Sequence, residues 1–265
     1  MFRTREVNIK SICPKKYIKI VGCHLLLVCF NSYAQTIINT ENMMSGIDNN
    51  FAYTMSFQGD FNFGNIDLLQ LSTAHQFSKK INRSTLRLLA NYDYIKESEQ
   101  IIASDFTGQL RYNYQIKENS IFGFIQGQSV RSLKMKHRYI GGGGYRHQLY
   151  SKKENYLDMS GGIFFEDELY DETDTQQLQI YNWRLSFSAF GKYNFTDKLF
   201  LNISIYHQIN ISNFKDYRLF IQPRLYYSLN KIDLFLDSTY RFHSTPYVDV
   251  QTTDSSLTFG LELSL

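Results

Sequence analysis

The alternation between Phe51 and Phe77 constrains this chain more than any other stretch. Phe51, Tyr53, Met55, Phe57, Gly59, Phe61 and Phe63 form one series, and Ala52, Thr54, Ser56, Gln58, Asp60 and Asn62 form the other. Apolar residues at every second position suit a β-strand with one apolar face and do not make the 3.6-residue stripe of an amphipathic helix. Gly64-Asn65 carries turn chemistry, after which Leu69, Leu71, Thr73, His75 and Phe77 alternate against Gln70, Ser72, Ala74 and Gln76. The spacing predicts a β-hairpin. Each arm has about the 9 to 11 residues that a tilted strand needs to cross a bilayer, with aromatics toward its ends as interfacial anchors.

The pattern repeats to the C-terminus. After a polar lead-in at 35–50, twelve alternating segments fill residues 51–265. The third sets Leu86, Leu88, Ala90, Tyr92 and Tyr94 against Thr85, Arg87, Leu89, Asn91 and Asp93, and the fourth sets Phe106, Gly108, Leu110, Tyr112 and Tyr114 against Asp105, Thr107, Gln109, Arg111 and Asn113. The seventh carries Leu157, Met159, Gly161, Ile163 and Phe165, and the eighth carries Tyr181, Trp183, Leu185, Phe187 and Ala189. Leu199 to Ile205, Tyr217 to Tyr227, Leu234 to Phe242 and Leu257 to Leu265 complete the set. Pro223 interrupts the tenth at apolar parity, which predicts a bulge, because a closed barrel has no free edge to excuse a missing N–H. The fifth (122–130) and sixth (138–149) are blurred by glutamines and by the run Gly141 to Gly144, so their register stays open. These features predict an all-β fold, a single antiparallel transmembrane β-barrel of twelve strands.

Residues 1–34 read as a signal peptide. Lys15, Lys16 and Lys19 precede an apolar run from Ile20 to Phe30, and Ser32-Tyr33-Ala34 makes a small-x-small site for cleavage after Ala34. The apolar run is too short for a membrane helix, which needs about 18 residues or more. A lipoprotein reading through Cys29 meets Val28 where a small residue is expected, so type I cleavage is favoured. Residues 1–34 hold six of the 28 basic residues and one of the 25 acids, so their loss leaves 22 against 24. The basic balance belongs to the signal and gives no support to nucleic-acid binding. All three cysteines, Cys13, Cys23 and Cys29, leave with it, so the mature chain is expected to have neither disulfides nor a thiolate metal site.

Charge placement tests the barrel independently of hydrophobicity. Arg87, Arg111, Arg131, Arg138, Arg146, Arg184, Arg218, Arg224 and Arg241 all fall at polar parity, as do Asp60, Asp93, Asp105, Asp158, Glu166, Asp233, Asp237, Asp254 and Glu262. An arginine facing lipid near midplane costs about 2 to 4 kcal/mol, which random placement would incur repeatedly. The connections sort by parity too. Those after even-numbered strands are short and rich in Lys, Asn and Asp, whereas those after odd-numbered strands are mostly longer. Among the longer ones, Asp167 to Thr175 is taken as a solvated acidic loop holding Asp167, Glu168, Asp171, Glu172 and Asp174. Short periplasmic turns and longer outer loops match an even-stranded barrel in the outer membrane of a Gram-negative bacterium.

Several segments also resemble the outer-membrane family known as domain of unknown function 481, sometimes called salt-induced outer-membrane proteins. They are Gly64-Asn65-Ile66-Asp67 with Leu69-Gln70-Leu71, Leu110-Arg111-Tyr112-Asn113-Tyr114, the glycine strand from Tyr139 to Tyr145, and Tyr240-Arg241-Phe242 to Pro246 with Thr253-Asp254. The resemblance covers most of the mature chain. It implies an outer-membrane barrel and leaves the activity open. One departure is the terminal Leu265, where such barrels usually end in an aromatic assembly signal.

No catalytic constellation stands out. His243 and Ser244 adjoin, but neighbours on a strand point to opposite faces and cannot pair as base and nucleophile. His75, His147 and His207 share lipid parity on separate strands, without metal-ligand spacing. Gly141 to Gly144 lacks the Lys-Ser/Thr of a phosphate loop and fits a bend or close packing better. No enzyme activity, cofactor or metal is expected. The lumen-lining candidates are Arg87, Asp93, Arg111, Arg138, Arg146, Asp158, Glu166, Arg184, Arg218, Arg224, Asp237, Arg241 and Glu262. Mixed charge of this kind lines a weakly selective channel for small hydrophilic solutes, or pairs off and plugs a structural or envelope-stress barrel. A lipid hydrolase is the least favoured reading. The expected partners are outer-membrane lipid, the barrel-assembly machinery during insertion and, for a channel, small hydrophilic solutes.

Overall fold

The computed structural model describes residues 51–264 except 63–67, 98–99 and 172–175. The signal, the lead-in and the Gly64-Asn65 turn lie outside the described residues. Twelve strands run in sequence order: β1 (Phe51–Asn62), β2 (Leu68–Ile81), β3 (Ser84–Glu97), β4 (Gln100–Ile116), β5 (Asn119–Val130), β6 (Met135–Lys152), β7 (Asn155–Asp171), β8 (Gln177–Asn194), β9 (Leu199–Asn210), β10 (Tyr217–Leu229), β11 (Ile232–His243) and β12 (Thr253–Ser264). Each pairs antiparallel with its neighbours, and β1 closes the ring on β12 through Thr54↔Ser264 to Gln58↔Gly260. The seam is five residue pairs long, and this closure of the ring is what lets strands cross a hydrocarbon layer.

The alternation of the sequence becomes a difference between two faces. Leu86, Leu88, Phe106, Leu110, Ile163, Trp183 and Phe187 are exposed on the outside, while Thr54, Ser56, Gln76, Gln109, Gln126, Ser188 and Asn202 are buried within. The interior is therefore polar and the exterior apolar, the reverse of a water-soluble sandwich. Strands β6 and β8 have 18 residues each. At about 3.3 Å per residue and a tilt near 45° they rise roughly 40 Å, beyond a hydrocarbon core of about 30 Å, so their ends project from it.

At one end of the barrel, four connections are two-residue turns that open on Asn82, Lys117, Lys153 and Asn230, each with φ between 52° and 66°. The other end carries most of the longer connections, and following the short-turn rule it is termed outer below.

The glycine strand lets its neighbours approach closely. A Cβ on Gly142 would lie 2.6 Å from the Ile163 carbonyl oxygen, and one on Gly144 would lie 2.8 Å from Gly162 Cα. The open register resolves as Gly123↔Gly143 and Ile125↔Gly141, with irregularities near Gln128, Met135 and Gln148. Two expectations need correction. β10 pairs with β9 without interruption across Pro223↔Ile203, and pairing with β11 lapses at Gln222 and Pro223 but resumes at Arg224↔Asp237 in the same register, so there is no bulge. Proline's missing N–H costs ladder bonds on one side only. Arg131 is not in a strand but opens a 3-10 turn (Arg131–Leu133) between β5 and β6, where its backbone N–H donates to Asp105 Oδ1 at 2.7 Å.

Candidate functional site: the lumen charge network

The inner face gathers its charges into clusters instead of spreading them along a water-filled wall. The largest occupies the outer half of the barrel. Arg138 of β6, Arg184 of β8 and Arg218 of β10 converge on Glu166 of β7, whose Oε2 accepts from Arg138 Nη2 at 2.6 Å and from Arg218 Nη1 at 2.9 Å, while its Oε1 accepts from Arg184 Nε at 2.5 Å. Glu168 lies two residues on, at the same parity, 2.8 Å from Arg138 Nε and 3.2 Å from Arg218 Nη2. Arg184 Nη2 also donates to Asp216 Oδ2 at 2.6 Å. Glu166, Glu168 and Arg184 are 0% exposed and Arg138 and Arg218 1%. Three guanidiniums thus meet three carboxylates, which balances charge where an unpaired ion would be very costly.

The connection between β11 and β12 (residues 244–252) caps this cluster. The Tyr247 hydroxyl donates to Asp216 Oδ2 at 2.6 Å and accepts from Arg184 Nη2 at 2.7 Å and Asn182 Nδ2 at 2.9 Å, which uses its one donor and both lone pairs. His243 Nε2 donates to Asp216 Oδ1 at 2.8 Å. Tyr247, Val248 and Val250 pack on a buried cluster of Val130, Leu133, Met135 and Tyr170, together with Leu178 and Ile180. Those residues sit at the outer ends of β5 to β8, three to six strands from β11 and β12 around a ring of twelve, with Val130 and Met135 of β5 and β6 the farthest at five to six. The connection therefore crosses the mouth.

Burial pushes the Asp216 carboxyl upward, but the His243 hydrogen bond, the Arg184 guanidinium and the Tyr247 hydroxyl outweigh it and hold the group well below the usual carboxylate range. Burial raises the Tyr247 phenol, against the pull of Arg218 and Arg184.

Two smaller clusters lie toward the inner end. Arg146 Nη2 is 2.7 Å from Asp158 Oδ2, and the guanidinium lies 4.7 Å above the Phe190 ring. Arg224 Nε donates to Asp237 Oδ2 at 2.8 Å, Gln222 Nε2 donates to the same oxygen at 2.6 Å, and Tyr226 donates to Glu262 Oε2 at 3.2 Å. Between the clusters, Phe190, Tyr206 and Phe220 form an apolar layer. A cavity of about 70 Å³ is walled by residues such as Gln109, Gln126, Ser186, Ser188, Phe164 and Tyr206. That is room for a few waters and well short of the roughly 300 to 1,000 Å³ of a pocket for a drug-sized ligand.

The remaining sequence candidates lie outside these clusters. Arg87 Nη1 and Arg111 Nε both donate to Asn113 Oδ1, at 2.9 and 3.2 Å, and Arg111 stacks 4.2 Å above Phe122. Asp93 accepts from Ser72 Oγ, and Arg241 pairs with Asp254 at 3.1 Å.

The acidic segment taken as a solvated loop is corrected. β7 continues to Asp171, which carries Glu168 into the lumen, while Asp167 accepts from Gln179 and Asp171 pairs with Lys136 at 3.1 Å. Glu172 and Asp174 lie outside the described residues. Ser244 Oγ donates to the Lys215 carbonyl oxygen at 2.6 Å and accepts from the Tyr217 N–H at 2.8 Å. Asp216 and Tyr247 were not among the sequence candidates, and His243 was weighed there only as a base beside Ser244. A signal existed for Asp216, which shares the parity of Arg218, but none marked Tyr247.

A closed ring of twelve antiparallel strands, apolar outside and charged inside, defines an outer-membrane β-barrel. The family model of DUF481, a protein of unknown function, matches residues 55–265, and the chain belongs to that family. Two solved barrels show the fold. The chain is 10% identical to an outer membrane channel from Pseudomonas putida F1, covering 87% of this chain and 100% of that one with a TM-score of 0.52. It is 8% identical to the NanC porin, covering 81% of this chain and 100% of that one with a TM-score of 0.51. Among curated proteins nothing matches.

Proposed function

We propose that this outer-membrane barrel is shut to hydrophilic solutes at rest and serves the envelope as a closed barrel, not as a constitutively open channel. One observation carries the reading. The arginine–carboxylate network around Glu166 spans four strands of the outer half with its ion-pairing side chains at 0–1% exposure. A conducting lumen keeps its charges hydrated and its path open, whereas these charges neutralise one another in contact. The weakly selective channel therefore gives way to the non-transporting reading for the resting protein. Outer-membrane lipid is the partner of the apolar face, and the assembly machinery acts during insertion. No catalytic step is assigned, because Ser244 is engaged by backbone groups and His243 by Asp216.

Planar-bilayer recording of the purified protein, with folding confirmed by heat-shifted gel mobility, tests the proposal. Folded protein is expected to give no stepwise openings. Stable unitary openings from folded, unmodified protein overturn it.

A further inference from the structure

We infer that the β11–β12 connection is a lid: the part of the closure that can lift from the outer mouth while the strands stay in place. The inference rests on the closed-barrel reading and adds where and how the closure opens.

The connection leaves β11 at His243, crosses the mouth, and is held by two kinds of contact, a polar one to β8 and the residue that precedes β10, and an apolar one that reaches the outer ends of β5 to β7. One is polar and centred on a single oxygen, since the Tyr247 hydroxyl bonds Asp216, Arg184 and Asn182 together. The other is apolar, through Val248 and Val250 packed on the patch around Met135 and Tyr170. Its tie to the barrel wall at the near side is different in nature. His243 N–H donates to the Thr252 carbonyl oxygen at 2.8 Å and Ser244 N–H donates to the Tyr217 carbonyl oxygen at 3.0 Å, so the two ends of the connection are pinned beside their own strands. A segment pinned at both ends and fastened across the gap by side chains alone can swing without breaking a single ladder bond. The only described backbone bond within it joins Val250 N–H to the Val248 carbonyl oxygen. Lifting it uncovers Met135, 1% exposed beneath it, and gives external water access to Arg184, Arg218 and Asp216. Because Tyr247 binds the same Arg184 that holds Glu166, the lid position and the ion network are coupled through one guanidinium.

The test is a thiol reporter under the lid, in purified, folded, full-length protein with Cys13→Ser, Cys23→Ser and Cys29→Ser throughout. Met135→Cys is exposed to a sulfonated, bilayer-impermeant maleimide, and its labelling rate is compared with and without a lid variant. Tyr247→Phe removes the shared oxygen and keeps the ring, and Val248→Ser weakens the apolar anchor. Each is a small change in a connection, so both variants should keep the gel mobility of the folded barrel. Either variant is expected to raise the labelling rate by about tenfold or more, the factor equivalent to one lost charge-assisted hydrogen bond. Unchanged rates in both overturn the lid. That failure is separable from failure of the closed-barrel reading, which is decided by the conductance of the unmodified chain. Silence there with unchanged labelling leaves a permanently sealed barrel.

Discussion

Replacing Glu166 by Gln keeps the shape of the side chain and removes the charge on which three arginines converge. The carboxylate accepts from Arg138 at 2.6 Å, Arg184 at 2.5 Å and Arg218 at 2.9 Å. In its absence, Glu168 and Asp216 must balance three guanidiniums, and one positive charge is left over where exposure is 0–1%. Removing one partner of a buried ion pair costs about 3 to 5 kcal/mol, chiefly through the uncompensated charge left behind. That lowers the folded-to-unfolded ratio by roughly a hundred- to several-thousand-fold. Glu168 meets two arginines at 2.8 and 3.2 Å, so Glu168→Gln should cost less, about 2 to 3 kcal/mol. The Arg146–Asp158 pair is 10% and 12% exposed, and nearby water should hold the cost of Asp158→Asn to about 1 to 2 kcal/mol. Urea titration in detergent micelles can read all three through Trp183, the only tryptophan, which stands 52% exposed on the apolar face of β8, beside the strand β7 that carries all three altered carboxylates but on the opposite face of the wall. The expected order of destabilisation is Glu166→Gln, Glu168→Gln, Asp158→Asn. Equal midpoints for the three variants, or a Glu166→Gln protein as stable as its parent, would refute the reasoning that the network is desolvated and mutually neutralising.

Two further outcomes follow from the same geometry. Asp216 has its proton affinity lowered by folding, so its contribution is complete above the ordinary carboxylate pKa of about 4 and is lost as pH falls through the folded value; Tyr247 has its affinity raised, so its contribution is complete below about 10 and is lost as pH rises through the folded value. Maleimide labelling of the Met135→Cys reporter should therefore stay flat between about pH 6 and 8, after correction for thiolate fraction, and a rise within that range would show that another group controls the connection. At the glycine strand, Gly144→Ala places a methyl 2.8 Å from both Gly162 Cα and Phe122 Cζ and should cost about 1 to 3 kcal/mol, whereas Gly161→Ala meets nothing within 4 Å and should be neutral. A melt in which the two variants match would remove close approach as the reason for glycine at 144.

The strands were legible because a barrel wall writes both of its faces into every pair of residues. Phe51 to Phe63 shows the rule, and the same parity keeps arginine off the lipid face in β3, β4, β6, β8, β10 and β11. Parity states that a side chain points inward; it does not say whom it meets, because partners across a lumen depend on ring order and stagger. Arg218 meets Glu166 from 52 residues away and Arg184 meets Asp216 from 32, and no local pattern encodes either distance. Glu168 was misplaced for a different reason. Its neighbours are so acidic that composition signalled solvent, while the alternation Glu166, Glu168, Tyr170 continued the inward series and signalled strand. Where the two disagree in a barrel, the period should win, since a run of carboxylates is tolerable inside when arginines from other strands arrive to meet it. Tyr247 marks the limit of that rule. It lies in a connection, where period has no meaning, and its position is fixed by Asp216 and Arg184 on one side and by the apolar patch around Met135 on the other. The mouth of this barrel is thus set by residues that alternation cannot place, which is why the sequence separated wall from lumen but left open whether the lumen was open or plugged.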